Sequence, residues 1–522
     1  MSTNITATIE ELKLAYSRTK LDRPSRCFVE YPFLFHLAEI DLDVWLQSLS
    51  KKLAEGYFPK TSRLCWIPKP NYQLRPGNIL TLKDEVVYNL IIGKLYSKIW
   101  DALEPYQGNP DVAYPLSTPD SKEKWVKSNF KSWDKFRELS FDRMATGVEY
   151  VVVSDVTGFY ENIDQDKLIS DLKQIVGSCP EIDLLRNCLR KWSIRGDKGI
   201  PQGYSASDIL AKVFVSPIDQ ALQNDGFIHL RYVDDIRIFC NTHTEAKRAI
   251  AQLSLNVHQK GLNLQSAKTK ILSIDQATIE FDGVTKIIKN IQEGIISQIN
   301  QDLIENGPYA DEEDHGLLLQ AQNELPPDAI ESAFNANFLL VNVATFNKTL
   351  FHYLLNRLAQ AKSKLAVNYC IETLKDKAEE TGSILNYFEK IDLDTDKLNE
   401  LVEYISLPTS IYNYQNYLIL KWLWDNNLVT EKIIKICRIF LKDHNREQWL
   451  RSYSFAYLGK YGSKKDLDEI QLMYSQSESV IGKADCIIGM HKVEAGKRNA
   501  FYAGVQNDDP LIKRAVKLAK ML

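Results

Sequence analysis

The stretch R-Y-V-D-D-I-R-I-F, residues 231–239, places two adjacent carboxylates inside a run of mostly β-branched and aromatic residues. Residues of those types favour a buried strand, whereas aspartate is depleted from strands and common in turns. We therefore predict a strand, a tight turn that carries Asp234 and Asp235, and a second strand. Taken alone, the pair indicates a solvated turn more often than a metal site.

A second carboxylate stands at the end of another predicted strand. The run V-E-Y-V-V-V-S-D, residues 148–155, is β-rich and ends on Asp155, as in a buried strand that delivers its last residue to a cleft. If the two strands are neighbours, the three aspartates can hold two divalent ions about 4 Å apart. Magnesium prefers such oxygen ligands and keeps positions open for phosphates. This arrangement predicts nucleotidyl transfer.

The composition is that of an ordinary globular protein. The chain has 522 residues, enough for two or three domains, with 44% hydrophobic and 25% charged residues. A net charge of −4 excludes a bulk cationic binder, so any contact with nucleic acid must use a local basic surface. No run of 18 apolar residues occurs, and the eight cysteines have no metal-site spacing. We expect a cytoplasmic protein with reduced thiols and no membrane contact.

The pattern of elements changes along the chain. Helices and strands alternate up to about residue 290, where T-K-I-L-S-I and A-T-I-E-F-D-G are the last predicted strands, and helices dominate afterwards. This predicts two domains, residues 1–290 and 291–522. In the second, the pairs at 449–450, 480–481 and 511–512 are each 31 residues apart. That period favours stacked helix pairs, although an irregular helical domain with coincidental spacing is the alternative.

Four stretches taken together decide whether the aspartates form a solvated turn or a metal site. S-D-V-T-G-F-Y at 154–160, G-I-P-Q-G-Y-S-A-S at 199–207, R-Y-V-D-D at 231–235 and G-L-N-L-Q-S-A-K-T-K at 261–270 resemble motifs A, B, C and D of reverse transcriptases, in order and spacing. P-K-P-N-Y-Q-L-R-P at 68–76 is similar to their fingers motif. The resemblance covers about residues 65 to 285.

The resemblance and the helical pattern of the second half together predict a fold for the chain. The class is α+β, with right-hand polymerase fingers and palm in residues 1–290, built on a mixed, mainly antiparallel sheet with helices. An all-α domain of helical repeats, resembling HEAT repeats, follows in residues 291–522 and replaces a conventional thumb.

The resemblance also assigns the metal ligands. Asp155, Asp234 and the backbone carbonyl of Val156 are implied to bind two Mg²⁺ ions, for which Mn²⁺ can substitute. Asp235 is the neighbouring catalytic carboxylate. Together with Asp155 and Asp234 it completes the implied catalytic set.

A second group of residues is implied to bind the nucleotide. Tyr160 stands where the family places the ring that excludes a ribose 2′-hydroxyl, so deoxynucleoside triphosphates are the expected substrates; a structural core tyrosine is the alternative. The other implied nucleotide-binding residues are Lys69, Arg75, Gln202, Gly203 and Lys268. Gln202 and Gly203 form a turn that lets backbone approach the nucleotide, and the cationic side chains contact phosphates. Each of Lys69 and Arg75 is equally compatible with a plain surface charge.

The helical second half resembles the abortive-infection and other defence-associated reverse transcriptases of bacteria. That group implies RNA-directed or template-independent DNA synthesis in antiphage defence, a homo-oligomer, and in some members a bound non-coding RNA or a protein hydroxyl as primer. Two alternatives stay open. One is a templated enzyme of the intron or retron kind, and the other is an inactive relict that serves as a nucleic-acid-binding scaffold.

Overall fold

The computed structural model describes residues 4–127, 132–282, 327–340 and 346–522. These residues divide into two compact units. The first, which we call the sheet unit, comprises Met1–Glu30, Ala38–Cys65 and Pro76–Phe281. The second, the helical unit, comprises Tyr31–Leu37, Trp66–Arg75 and Asp282–Leu522. The domain boundary predicted between residues 290 and 291 lies outside the described residues.

The first part of the chain is mainly helical. Its elements are α1 (Ile9–Arg26), α2 (Leu34–Glu39), α3 (Leu42–Glu55), the paired strands β1 (Arg63–Pro68) and β2 (Leu74–Ile79), α4 (Leu82–Leu103) and α5 (Ser132–Met144). Helix α1 begins with a capping box, in which the Glu11 backbone N–H donates to the Thr8 hydroxyl oxygen and the Thr8 backbone N–H donates to the Glu11 carboxylate. The long α4 is buried along most of its length, so it forms a core of the sheet unit.

A four-stranded sheet lies at the centre of the sheet unit, in the order β4-β5-β3-β6. The elements that build and cover it are β3 (Tyr150–Ser154), α6 (Phe159–Asn162), α7 (Gln165–Val176), α8 (Pro180–Trp192), α9 (Ser205–Asn224), β4 (Ile228–Tyr232), β5 (Asp235–Cys240), α10 (His243–Gln259), β6 (Lys270–Ser273) and α11 (Ile274–Asp282). All its paired strands are antiparallel. The architecture is therefore α+β with an antiparallel sheet, as the sequence predicts.

One predicted strand is wrong. The segment A-T-I-E-F-D-G was assigned to a strand, but its described residues belong to helix α11. Ala277 and Phe281 are both buried and lie four residues apart, so they share one face of a helix and pack into the core beside β3. Packing on that face outweighs the β-propensity of Thr278, Ile279 and Phe281.

The described part of the helical unit beyond residue 326 consists of helices. They are α12 (Pro327–Phe334), α13 (Lys348–Gln360), α14 (Val367–Asp376), α15 (Thr381–Ile391), α16 (Thr395–Ser406), α17 (Asn413–Asp425), α18 (Glu431–Lys442), α19 (Gln448–Tyr461), α20 (Lys464–Gln476), α21 (Val480–Gly489), α22 (Ala495–Val505) and α23 (Pro510–Met521). The odd-numbered helices from α13 to α23 pack in succession, each against the next. Trp449, Val480 and Leu511, spaced 31 residues apart, occupy the second, first and second positions of α19, α21 and α23. The 31-residue spacing thus marks the starts of three consecutively packed helices.

Across the part of the chain that the structure describes, no helix combines the length and apolar character needed to cross a membrane. None of the eight cysteines, all of which the structure describes, forms a disulfide, and six of them are buried.

Candidate active site

The two adjacent aspartates lie in the turn that joins β4 to β5. Tyr232 pairs with Asp235, so Val233 and Asp234 form a two-residue hairpin turn. Val233 has a φ of 59°, a left-handed conformation that is rare and strained for a β-branched residue. The Arg231 side chain stabilises this backbone by donating a 3.1 Å hydrogen bond from Nη1 to the Val233 carbonyl.

Asp155 meets this turn because β3 lies beside β5. Ser154, the last residue of β3, pairs with Ile236, so Asp155 follows at the level of Asp235. Beyond β3 the chain pairs with residues 263–265. The Thr157 N–H donates to the Asn263 carbonyl at 2.9 Å, and the Gln265 N–H to the Asp155 carbonyl at 2.8 Å. In this antiparallel pairing the Val156 carbonyl points away from that partner. The strands are therefore neighbours, as the metal hypothesis requires.

The carboxylates are crowded and partly withdrawn from water. Asp155 is only 6% exposed. Burial, with the nearby carboxylates of Asp155 and Asp235, raises the pKa of Asp234 to about 7. Burial and Asp155 also raise the pKa of Asp235 to about 6. Like charges held this close destabilise one another unless a cation joins them.

In the structure that cation is Lys268. Its ammonium group binds Oδ2 of Asp155, and this hydrogen bond raises the pKa of Lys268. Among the described residues, no group of three or more histidine, cysteine, aspartate or glutamate side chains is arranged to hold a metal ion. The chemistry of the site nevertheless fits magnesium, because the carboxylates of Asp155, Asp234 and Asp235 carry oxygen atoms of the hard kind that this ion prefers.

Tyr160 lies on the one-turn helix α6, five residues after Asp155. Its hydroxyl donates a 2.7 Å hydrogen bond to Oδ1 of Asp208, a buried residue on α9. Burial and the Asp208 charge raise the pKa of Tyr160, so the hydroxyl stays protonated as a donor. Burial raises the pKa of Asp208 to about 6, although Arg26 and the Tyr160 hydroxyl favour its charged form.

Gln202 and Gly203 lie in the turn before α9. The Gln202 backbone N–H donates a 3.1 Å hydrogen bond to the side chain of Asn78. Gly203 has a φ of 100°, and a Cβ there would lie 2.9 Å from the Phe28 ring and 3.1 Å from the Arg26 carbonyl. Close packing within the protein thus requires this glycine, whether or not a nucleotide also approaches it.

Lys69 and Arg75 lie on the β1–β2 hairpin, in residues that cluster with the helical unit. The Lys69 backbone N–H donates a 2.8 Å hydrogen bond to the Gln73 carbonyl in the turn, and Arg75 is on β2. Their part in phosphate binding stays a prediction.

Comparison with known proteins assigns the region that contains these motifs. Residues 67–287 match the family described as reverse transcriptase (RNA-dependent DNA polymerase). These residues form a reverse transcriptase domain. The domain contains all the aspartates of the candidate site, along with Tyr160, Gln202, Gly203 and Lys268.

Two curated proteins are similar to part of the chain. The protein YkfC of Escherichia coli K12 is 23% identical over 199 residues, which are 37% of this chain and 47% of YkfC. The putative COX1/OXI3 intron 1 protein of Saccharomyces cerevisiae is 23% identical over 273 residues, which are 51% of this chain and 30% of that protein. The chain therefore spans less than half the length of both relatives.

Two solved structures align with parts of the chain at low TM-scores. Telomerase from Candida albicans, in complex with a fragment of telomeric RNA, aligns with a TM-score of 0.32 at 14% identity, over 76% of this chain and 69% of that chain. A partial Cas6-RT-Cas1–Cas2 complex aligns with a TM-score of 0.27 at 16% identity, over 48% of this chain and 42% of that chain.

Sequence reasoning missed a buried charge cluster beneath the aspartate turn of the reverse transcriptase domain. Arg231 donates to both oxygens of Asp219 on α9, from Nε to Oδ1 at 3.0 Å and from Nη2 to Oδ2 at 2.7 Å, and its Nη2 lies 3.2 Å from Asp111. Lys212 also binds Asp111. The sequence shows that Arg231 precedes the turn, but no local pattern indicates that Asp219 and Asp111 are its partners.

Proposed function

We propose that the protein is a DNA polymerase of the reverse transcriptase type, which adds deoxynucleotides to a 3′-hydroxyl by two-metal nucleotidyl transfer. The observation that carries the proposal is the meeting of Asp155 with Asp234 and Asp235, from two neighbouring strands, inside the residues that match the family. Three carboxylates crowded in a cleft favour a cation-dependent reaction over a structural role, because without a cation they repel one another.

The residues that would hold two magnesium ions are Asp155, Asp234 and the carbonyl of Val156, with Asp235 beside them. When bound, such ions activate the attacking hydroxyl and neutralise charge on the leaving pyrophosphate. Manganese is expected to substitute, since it accepts the same oxygen ligands. Lys268, whose side chain is 59% exposed, can contact phosphate oxygens and hold a proton for the departing pyrophosphate.

The proposal is tested by incorporation of labelled deoxynucleotides. Purified protein with Mg²⁺ is expected to form polymer from deoxynucleoside triphosphates, either on an annealed RNA template and DNA primer or without added template. Chelation of the metal is expected to stop the reaction, and Mn²⁺ to restore it. Absence of incorporation with every template, primer and metal tried would reject the polymerase function.

Two alternative biological roles for the polymerase are supported by different observations. The helical unit, in place of a conventional thumb, favours a bacterial antiphage enzyme that works as a homo-oligomer, with a bound non-coding RNA or a protein primer. Similarity to the yeast intron protein favours a templated enzyme instead. DNA that stays attached to protein after denaturation and is released by protease would support protein priming. Extension of an ordinary annealed primer alone would support templated copying.

Sugar selection is assigned to the Tyr160 ring. Replacing Tyr160 by alanine is expected to raise the ratio of ribonucleotide to deoxynucleotide use by about tenfold or more, because removing the ring makes room for a 2′-hydroxyl. The measurement is kcat/KM for both sugars with the same base. An unchanged ratio in a folded variant would remove Tyr160 from this role.

A further inference from the structure

The hydroxyl of Tyr160 is anchored by a contact that steric exclusion of a ribose does not need. It donates to Oδ1 of Asp208 at 2.7 Å, and Asp208 is 7% exposed at the start of α9. At its other end, Tyr160 is held through its backbone, since its carbonyl accepts a 3.0 Å hydrogen bond from the Ile200 N–H. The side chain is therefore tethered at both ends.

Asp208 is itself held by a residue from the N-terminal helix. Its Oδ2 lies 3.1 Å from Nη1 of Arg26, the last residue of α1. The Arg26 guanidinium stacks over the ring of Tyr114, 4.2 Å from its centre. Helix α1 lies outside residues 67–287, which match the reverse transcriptase family. Helix α1, which lies outside the matched domain, thus contacts Asp208, the residue that holds the proposed nucleotide-binding residue Tyr160.

The end of α1 is fixed in place by two further buried contacts. Arg23 binds both carboxylate oxygens of Glu85 on α4, at 2.6 Å and 3.1 Å. Asp22 accepts a 2.8 Å hydrogen bond from the hydroxyl of Ser205, near Asp208 on α9. Side chains locked by such contacts preorganise the group that they support. Arg26 can therefore act on Asp208 as a rigid brace.

Packing around the Tyr160 ring leaves a small gap. A cavity of about 10 Å³ lies beside it, lined among others by Tyr114, Lys212 and Val233. That volume is at the lower limit for one water molecule, so packing against the ring is incomplete on that side. The hydroxyl contact then determines the ring's tilt, because a hydrogen bond to a charged carboxylate is stronger than one between neutral groups.

We propose that Asp208, braced by Arg26, is a positioning residue that holds the Tyr160 ring against the sugar of the incoming nucleotide, so that helix α1 contributes to the choice of deoxyribose. The inference rests on the proposed polymerase function. Exclusion of a 2′-hydroxyl requires a ring that resists displacement, since a ring free to tilt makes room for the extra oxygen. Asp208 acts through Tyr160 and need not touch the nucleotide.

Three substitutions separate the parts of this contact. Tyr160→Phe keeps the ring and removes the hydroxyl, Asp208→Ala removes the acceptor, and Asp208→Asn keeps an acceptor but loses the charge that pairs with Arg26. The measurement is kcat/KM for a ribonucleotide and for the matching deoxynucleotide on the same primer and template. A purely structural role for the contact would lower both values in parallel and leave their ratio unchanged.

Tyr160→Phe and Asp208→Ala are each expected to raise the ribonucleotide to deoxynucleotide ratio by about tenfold, and Asp208→Asn by less. The double variant Tyr160→Phe/Asp208→Ala should show no more change than either single variant, because both break the same contact. Arg26→Gln should change the ratio in the same direction. Additive effects in the double variant would contradict the proposal.

Tyr88→Phe is the matched control. It removes a tyrosine hydroxyl that bonds to Ser207, the neighbour of Asp208 on α9, at 2.8 Å and away from Tyr160. Its sugar ratio should equal that of the wild type. If Asp208→Ala fails to fold, the sugar ratios of Tyr160→Phe and Tyr88→Phe are sufficient to test the inference. If the wild type polymerises deoxynucleotides and Tyr160→Phe keeps the wild-type sugar ratio, this inference is wrong and the proposed function stands. If the wild type does not polymerise deoxynucleotides, the proposed function itself is rejected.

Discussion

Replacing Asp234 by alanine is expected to lower deoxynucleotide incorporation by about 10³-fold or more, the largest effect on activity that we predict. Asp234 lies at the tip of the β4–β5 hairpin, where its carboxylate meets that of Asp155. In the proposed mechanism Asp234 would be a shared ligand of two metal ions, so its loss would weaken the binding of ions that would act on the attacking and the leaving oxygen. Asp234→Asn, which keeps the shape but not the charge, should lose activity to a similar degree.

The same substitution is not expected to unfold the protein. Burial and neighbouring carboxylates raise the pKa of Asp234, so its charged form destabilises the folded state at neutral pH. Thermal unfolding of Asp234→Ala should therefore occur at or slightly above the wild-type temperature. Asp225→Ala, which removes an exposed aspartate next to the end of α9, is the control and should keep full activity. Wild-type activity in folded Asp234→Ala, or marked unfolding of both Asp234 variants, would show that the residue is not catalytic.

Replacing Arg231 by alanine is expected to lower the free energy of unfolding by about 3–5 kcal/mol, the largest effect on stability that we predict. Arg231 is 2% exposed and Asp219 is 1% exposed, so the substitution leaves a buried carboxylate without its main partner. Burial disfavours the Asp219 charge, but Arg231 and His229 outweigh it and lower the pKa of Asp219 to about 2. Urea denaturation of the variant and the wild type measures the loss.

Two comparisons test that prediction. Arg186→Ala breaks an exposed ion pair with Asp166 and should cost less than about 1 kcal/mol. The double variant Arg231→Ala/Asp219→Ala should recover part of the loss, because no unpaired Asp219 charge then remains buried. Because the pKa of Asp219 is lowered on folding, the contribution of Arg231 is present above the ordinary aspartate range near 4 and declines as the pH falls towards 2. A cost for Arg231→Ala no larger than that for Arg186→Ala would contradict the prediction.

Much of the sheet unit could be predicted from local patterns. The β-rich runs before Asp155 and around Asp234 form β3, β4 and β5, with the aspartate pair at the turn. The alternation of side chains in a strand and the residue types of a turn depend on a few neighbouring residues. Strands and turns can therefore be predicted from the sequence. The same reasoning failed at A-T-I-E-F-D-G, where residues that favour strands form α11 because its buried face packs on the sheet.

The sequence alone determined the chemical groups of the site and their order along the chain. The resemblance of the motifs proposed the three aspartates, Tyr160 and Lys268 as site residues, and residues 67–287 do match the reverse transcriptase family. Only the tertiary structure decided which partner each group has. Lys268 binds Asp155 from 113 residues away, and Asp208 anchors Tyr160 from 48 residues away. Backbone preference acts over a few residues, whereas charge pairing and burial depend on distant segments that only the folded chain brings together.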